Sequence, residues 1–288
     1  MRALEALVEQ SSQLKFRYEN EVRPKYLEDE AERIFHAAFP AATLLRGSLW
    51  HDPLTNVEFE NDLLIVLDSF LIVVECKSGG IAPSARRGGE RLEKAILELI
   101  QNPAEQSARF ADYLVKNAGD HSFNTKRKVK NRCNTSNSKH VIRLSLTFNF
   151  FGQIACQSRL LAQAGFLKTQ VAPAVTMSLG DLETVFDILE GAHQKLHYLS
   201  RRSEWESHLD WHHEGHENTM YCIIGPEQRK KVIAAYAYKE IPRESRDAAI
   251  QNAFSKVARD FGCKDALLLG ISADQKFIPT NLYLWLLI

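Results

Sequence analysis

The chain is predicted to be an α/β protein built on a mixed central sheet flanked by helices, with a C-terminal α/β extension or small second domain. Three observations predict it. Residues 58–80, EFENDLLIVLDSFLIVVECKSGG, hold two apolar runs, 63–67 and 70–74, joined by the turn formers Asp68-Ser69, and read as a β-hairpin. Apolar residues at helical spacing occupy 25–39 before the hairpin and 91–117 after it. Further β-patterned runs lie at 140–151 and about 170–177, so strands and helices alternate along the chain.

Composition bounds the classes open to it. At 288 residues the chain is long enough for one large domain or two ordinary ones. It is 45% hydrophobic and 25% charged, an ordinary globular balance. Its 36 Lys and Arg equal its 36 Asp and Glu, so any basic surface must be local. No apolar run approaches the ~20 residues that span a bilayer, and no early stretch has the pattern of a signal peptide, so no membrane partner is expected. The five cysteines (Cys76, Cys133, Cys156, Cys222, Cys263) are odd in number, widely spaced and free of any CxxC. That pattern points to reduced thiols and a cytoplasmic setting rather than a disulfide framework or a zinc ribbon.

The chemistry lies in the hairpin. A two-residue turn fixes the register: Leu67 faces Phe70 and, counting outward, Asp62 faces Glu75. Opposed residues on an antiparallel pair have Cβ atoms ~4.5–5.5 Å apart, and like charges there repel. Two carboxylates at one end of an apolar hairpin therefore require something positive. Lys77, two residues past Glu75, projects from the same face and is one answer. A divalent cation is the other, and hard oxygen ligands suit Mg²⁺ or Mn²⁺ better than zinc. The plainer alternative is a structural salt bridge, with Lys77 capping two carboxylates at a sheet edge.

Asp62, twelve intervening residues and then Glu75-Cys76-Lys77 resembles the D…(D/E)xK signature of the PD-(D/E)XK nuclease superfamily, in its nuclease-related (NERD-like) and restriction-endonuclease-like branches. The Pro that names the motif is absent, and Asn61 precedes Asp62 instead. The resemblance implies a restriction-endonuclease-like core. It also implies Mg²⁺ or Mn²⁺ held by Asp62, Glu75 and the backbone carbonyl of Cys76, with Lys77 orienting or activating the attacking water. Members of the superfamily usually place a Glu on the helix before the first core strand. Here Glu28, Glu30 and Glu32 are the candidates, and Glu28, nearest the apolar face, is preferred, then Glu32. The other reading of these acids is a solvated first turn that complements the helix dipole. A Gln on the helix after the ExK strand is a further family feature, matched by Gln106, whose amide would hold the attacking water or a phosphate oxygen. Phe110 stands where RecB-like relatives have the Tyr of QxxxY.

From the N-terminus, Leu4, Leu7, Val8 and Leu14 predict a helix within 1–24. Pro24 suits the first turn of the next helix, which ends before Pro40 and carries an apolar face of Leu27, Ala31, Ile34, Phe35 and Ala38. Residues 42–50 read as the first strand and 51–57 as a turn. The loop 81–90 carries Arg86 and Arg87, candidate phosphate contacts beside the proposed site. The helical pattern 91–117 is broken at Asn102-Pro103. Residues 118–139 read as a polar loop, rich in Lys126, Arg127, Lys128, Lys130, Arg132 and Lys139. This is the best local patch for a phosphodiester backbone, and otherwise a disordered surface insertion. Val141, Leu144, Leu146 and Phe148 form the inward set of the strand at 140–151. A short helix over 157–165 ends at Gly165, and a helix capped by Ser178 or Asp181 comes next with Leu182, Val185, Phe186 and Leu189 as its stripe.

The nuclease-like domain is expected over 25–203, with 204–288 a C-terminal α/β region of unassigned role. Its His208, His212, His213 and His216 lack an HExxH, and Trp205, Leu209 and Trp211 favour an amphipathic linker over a metal site. The expected function is a Mg-dependent endonuclease acting on DNA, with RNA the lesser option. By analogy its setting is phage defence or restriction, with a homodimer or a defence-complex partner. The alternative is a nucleic-acid-binding or interaction module that keeps the fold without turnover.

Overall fold

The computed structural model describes residues 8, 10–81, 90–149, 151, 154–155, 158–168, 171–189 and 191–208. Arg86, Arg87 and almost all of the C-terminal region, including His212, His213 and His216, lie outside them.

Two helical segments come first: α1 (Ser12–Arg17) and α2 (Arg23–Ala38), joined through a π-helical turn, Tyr18–Val22. Pro24 sits in the first turn of α2, directly after the π turn. Leu27, Ala31, Ile34, Phe35 and Ala38 form the buried face of α2, as their spacing predicted. Next come three antiparallel strands, β1 (Thr43–Asp52), β2 (Val57–Leu67) and β3 (Phe70–Lys77). The chain then runs through α3 (Glu90–Ile96), a π turn at Leu97–Gln101, and α4 (Asn102–Lys116). The break expected at Asn102-Pro103 is absent. The helix instead runs on through a π turn, and Pro103, which has no N–H to donate to the continuing helix, stands just after it in the first turn of the next α-helical segment.

The remaining described elements are β4 (Asp120–Asn124), β5 (Lys130–Asn134), β6 (His140–Thr147), α5 (Ser158–Gln163), β7 (Val175–Ser178), α6 (Leu179–Ile188) and α7 (Ala192–His208). The segment read as a polar loop is therefore a β-hairpin, β4–β5, paired from Asp120↔Asn134 to Asn124↔Lys130. His121 and Phe123 point inward along β4 and Asn131 reaches β1, which holds this polar sequence in a strand. The inward set of β6 is Ile142, Leu144 and Leu146 rather than one starting at Val141, which is 38% exposed.

The seven strands form one mixed sheet in the order β5-β4-β1-β2-β3-β6-β7, with β3, β6 and β7 parallel. Helices cover both faces, the mixed α/β architecture expected from the sequence. Alternate residues of β3 feed two cores. Ile72 and Val74 pack with α2 and α6, and Leu71 and Val73 with Phe110, Ala111 and Leu114 of α4. A strand buried on both faces must be apolar throughout, which is why 70–74 shows no polar alternation. Each such Leu, Ile or Val contributes about 1.5–3 kcal/mol by leaving water.

One irregularity lies beside the charged end of the β2–β3 hairpin. Leu45 and Trp50 on β1, and Phe59 and Leu64 on β2, are separated by an odd number of positions yet join the same core. Strict alternation would send each pair to opposite faces. The break falls around Gly47, whose φ of +62° is open to glycine and strained for other residues. The flanking pairs Arg46↔Leu63 and Ser48↔Asn61 put Gly47 directly across from Asp62.

Candidate active site

Asp62 and Glu75 meet because of the hairpin register. The ladder runs from Leu67↔Phe70 to Leu63↔Val74, and the next position outward opposes the two acids. Glu75 is 2% exposed and Asp62 half-buried. Asp62 Oδ2 accepts the backbone N–H of Cys76 at 2.7 Å. Asn61 Nδ2 donates to Glu75 Oε1 at 3.0 Å and to the Val74 carbonyl at 3.2 Å. Lys77 Nζ stands 3.6 Å from Glu75 Oε2 and donates to Gln106 Oε1 at 2.6 Å. Gln106 comes from α4, the helix lying over Leu71 and Val73, so the alternation of β3 aims 75 and 77 toward it.

The electrostatics expose an imbalance. Burial pushes the Glu75 carboxyl up to about 8, reinforced by the charge of Asp62 and opposed by Lys77 and Asn61. Burial also lifts Asp62, to about 6, while Lys77 and the Cys76 N–H pull it down and Glu28 and Glu60 push it up. The smaller rise at Asp62 agrees with its greater exposure. One lysine does not neutralise two enclosed carboxylates. Cys76, half-buried against the core on the α2 side of β3, has its thiol pushed up by burial and by Asp62, Glu28 and Glu75, which leaves it inert rather than nucleophilic.

The donor set suits a hard cation. Both carboxylates offer oxygens, and Asn61 Oδ1 is buried with no hydrogen-bond partner among the described residues. Such an atom is costly to leave unpaired. Among the described residues, no three His, Cys, Asp or Glu side chains are gathered closely enough to hold a metal by themselves. The carboxylates present therefore come as a pair, supplemented by amide and backbone oxygen.

Glu28 lies close enough to bias Asp62, but its side chain is engaged elsewhere. Arg46 Nη2 holds Glu28 at 2.9 Å, while Nη1 holds Asp29 at 2.5 Å and Glu32 at 3.1 Å. Three carboxylates hold the Arg46 guanidinium firmly protonated against the cost of its partial burial. Glu30 turns to Arg33 at 2.8 Å. Of the residues singled out from sequence, the structure thus brings together Asp62, Glu75, Cys76, Lys77 and Gln106, and ties Glu28 to Arg46.

Lys126, Arg127 and Lys128 occupy the β4–β5 turn, and Lys130 and Arg132 the exposed side of β5. Lys126 forms an ion pair with Glu60 on β2, and Glu60, Asp62 and Glu28 all raise its proton affinity. The basic hairpin therefore leans over the acidic end of the β2–β3 hairpin. Sequence reading missed Asn61, Arg46 and Glu60 as members of the site. Strict alternation would have turned Asn61 away from Glu75, and only the break in alternation around Gly47 brings the two together. The other two depend on how α2 and β4–β5 pack.

No protein-family model matches the chain, and no curated protein does. A solved structure with some similarity is the small subunit of a heterodimeric restriction endonuclease: 12% identity, TM-score 0.29, covering 81% of this chain and 90% of that one. No helix among the described residues is long and apolar enough to cross a membrane.

Proposed function

We propose that this chain is a metal-dependent nuclease that hydrolyses phosphodiester bonds, in DNA before RNA. The observation that carries the reading is the convergence of Asp62, Glu75 and Lys77 on one hairpin end, with Gln106 closing on Lys77 and the two acids short of positive charge. Asp62, Glu75, the Cys76 carbonyl and Asn61 Oδ1 would hold Mg²⁺ or Mn²⁺. Such an ion, when bound, supplies Lewis-acid polarisation of the phosphate and a lower pKa for a bound water.

The side chains divide the remaining work. Lys77 holds the attacking water by hydrogen bond and offsets the charge that develops on the phosphate oxygens. Gln106 fixes the Lys77 ammonium, so its donors point in one direction before substrate arrives. The backbone N–H of Cys76 orients Asp62, and Asn61 orients Glu75. The β4–β5 turn supplies cations for a strand backbone, and a role in defence or restriction, alone or with a second subunit, accords with such chemistry.

A second reading is a nucleic-acid-binding module without turnover. What favours it is that Glu28 is spent on Arg46, leaving two carboxylates rather than three at the site among the described residues.

Cleavage of supercoiled plasmid, linear duplex and single strands, in Mg²⁺ or Mn²⁺ and in chelator, separates the two. Metal-dependent cutting that is lost in Lys77→Ala supports the nuclease. Absence of cutting, with salt-sensitive DNA binding unchanged in Lys77→Ala, supports the binding module.

A further inference from the structure

Arg23 opens α2 at the end of the sheet where the parallel strands β3 and β6 finish. Its guanidinium is held by rings, with its carbon 5.0 Å from the Phe148 centroid and 5.8 Å from that of Tyr18. Those contacts occupy its π face. Its edge is another matter: Nε and Nη2 are sealed from solvent and have no acceptor among the described residues. A guanidinium presents five N–H donors in a rigid planar fork, and buried cations are ordinarily paired with acceptors. Among the described residues no carboxylate is ion-paired to Arg23. Acids are plentiful on α2 and in the π turn before it, and Arg17, Arg33 and Arg46 pair with them.

The Asn149 carboxamide and the backbone of Gly80 stand beside this edge. Nη2 lies 4.0 Å from the point where a Cβ on Gly80 would stand, and Asn149 Nδ2 lies 2.5 Å from the same point. A side chain at position 80 would displace that amide, so the close approach depends on glycine. A guanidinium, a carboxamide and the side-chain-free Gly79-Gly80 segment thus meet where β3 and β6 end. In open α/β sheets this carboxyl edge of parallel strands is where ligands enter. Gly80 is three residues beyond Lys77, a chain span of at most about 11 Å, or about three nucleotide rises along a strand.

We propose that Arg23, with Asn149 and the Gly79-Gly80 backbone, is a subsite for a phosphate oxyanion of the nucleic-acid strand, flanking the phosphate at Asp62 and Glu75. A planar fork with unpaired N–H groups matches two phosphate oxygens at once, and because Nε and Nη2 are covered in the free chain, the strand reaches them by displacing what covers them. The proposal rests on the nuclease reading for which strand arrives, but its own chemistry is independent of turnover. An internal diester and a terminal monoester share that chemistry, and the test separates them.

The test is binding of fluorescent single strands and duplexes, with either a 5′-phosphate or a 5′-hydroxyl, measured in chelator over a range of salt. Arg23→Gln keeps a planar group on the rings but removes the charge. It is expected to weaken binding about tenfold and to flatten the salt dependence by about one counterion. Asn149→Ala is expected to weaken binding by a smaller factor. Equal loss on both ends assigns an internal phosphate, and loss confined to 5′-phosphorylated strands assigns a terminal one.

Arg23→Gln with unchanged melting temperature, affinity and salt slope overturns the proposal. If that variant does not fold, unchanged affinity in Asn149→Ala overturns it. A wild-type protein that binds none of the strands does so as well. Lys77→Ala, run in parallel, keeps the two readings apart: Arg23-dependent binding without any metal-dependent cutting removes the nuclease and leaves the subsite.

Discussion

Lys77 Nζ donates to Gln106 Oε1 at 2.6 Å and stands 3.6 Å from Glu75 Oε2, so the cation beside the site's acids is held from α4 rather than by the acid two residues before it. An ammonium tied to a neutral amide keeps donors for a water or a phosphate oxygen, whereas one locked to a carboxylate would spend its charge locally. Removing the two partners should therefore have unequal effects. Lys77→Ala is expected to lower single-turnover cleavage by about 10²–10⁴-fold, the usual worth of a positioned proton-handling group. Gln106→Ala, which leaves the ammonium in place but unaimed, should cost about 10–10²-fold. Rates at saturating protein, with both variants checked for unchanged melting temperature, decide between a positioning role and a packing role for Gln106.

Stability of the metal-free protein should fall as pH rises through the range where the acids titrate. Asp62 moves from 3.8 to about 6 and Glu75 from 4.5 to about 8 on folding. Between those values the folded chain binds more protons than the unfolded one, so raising the pH favours unfolding. The loss begins near pH 4 and is complete above about pH 8. Mg²⁺ is expected to remove most of this slope, because a cation offsets the charge that burial leaves uncompensated. Urea unfolding from about pH 5 to about pH 8.5, with and without Mg²⁺, measures it, and a slope indifferent to Mg²⁺ would speak against the acids as its ligands.

Gly47→Ala tests the kink that sets Asp62. At φ +62° a Cβ costs about 1–2 kcal/mol through the backbone alone. The new methyl would lie 3.4 Å from Glu60 Oε1, an ordinary contact, so crowding adds little. The expected result is a lower urea midpoint together with a cleavage loss larger than that stability change explains, because β1 faces Asp62 at this position.

The β4–β5 turn should act on binding and not on chemistry. Replacing Lys126, Arg127, Lys128 and Lys130 by Ser is expected to raise the Kd for duplex DNA and to flatten its salt dependence by about 0.9 per lost phosphate contact. The rate at saturating DNA should stay within a factor of about two, since Lys126, though paired with the part-buried Glu60, keeps its own side chain largely in solvent and such pairs contribute little. A fall in the saturated rate with unchanged Kd would assign these cations to the reaction instead.

Much of the architecture was legible in advance where local rules suffice. The Asp68-Ser69 turn set the β2–β3 register, and that register carried Asp62 to Glu75 without any tertiary information. The spacing of Leu27, Ala31, Ile34, Phe35 and Ala38 marked the buried face of α2. Polar composition misled at 118–139, because β5 is the outermost strand of the described sheet, where the exposed Lys130 and Arg132 suit solvent and deter further pairing. Val141 misled because one residue of phase exchanges the faces of a strand, and a short apolar run does not reveal its phase.

What the sequence determined by itself was the hairpin, its turn and the three charged side chains aligned at its end, because hydrogen-bond register and strand alternation are properties of adjacent residues. The tertiary structure decided the partners of those charges. Packing of α4 brought Gln106 to Lys77, packing of α2 gave Glu28 to Arg46, and the ends of β3 and β6 left the Arg23 edge unpaired. Each is a contact between elements distant in the chain, selected by which apolar faces bury against which side of the sheet, and no local periodicity encodes that choice.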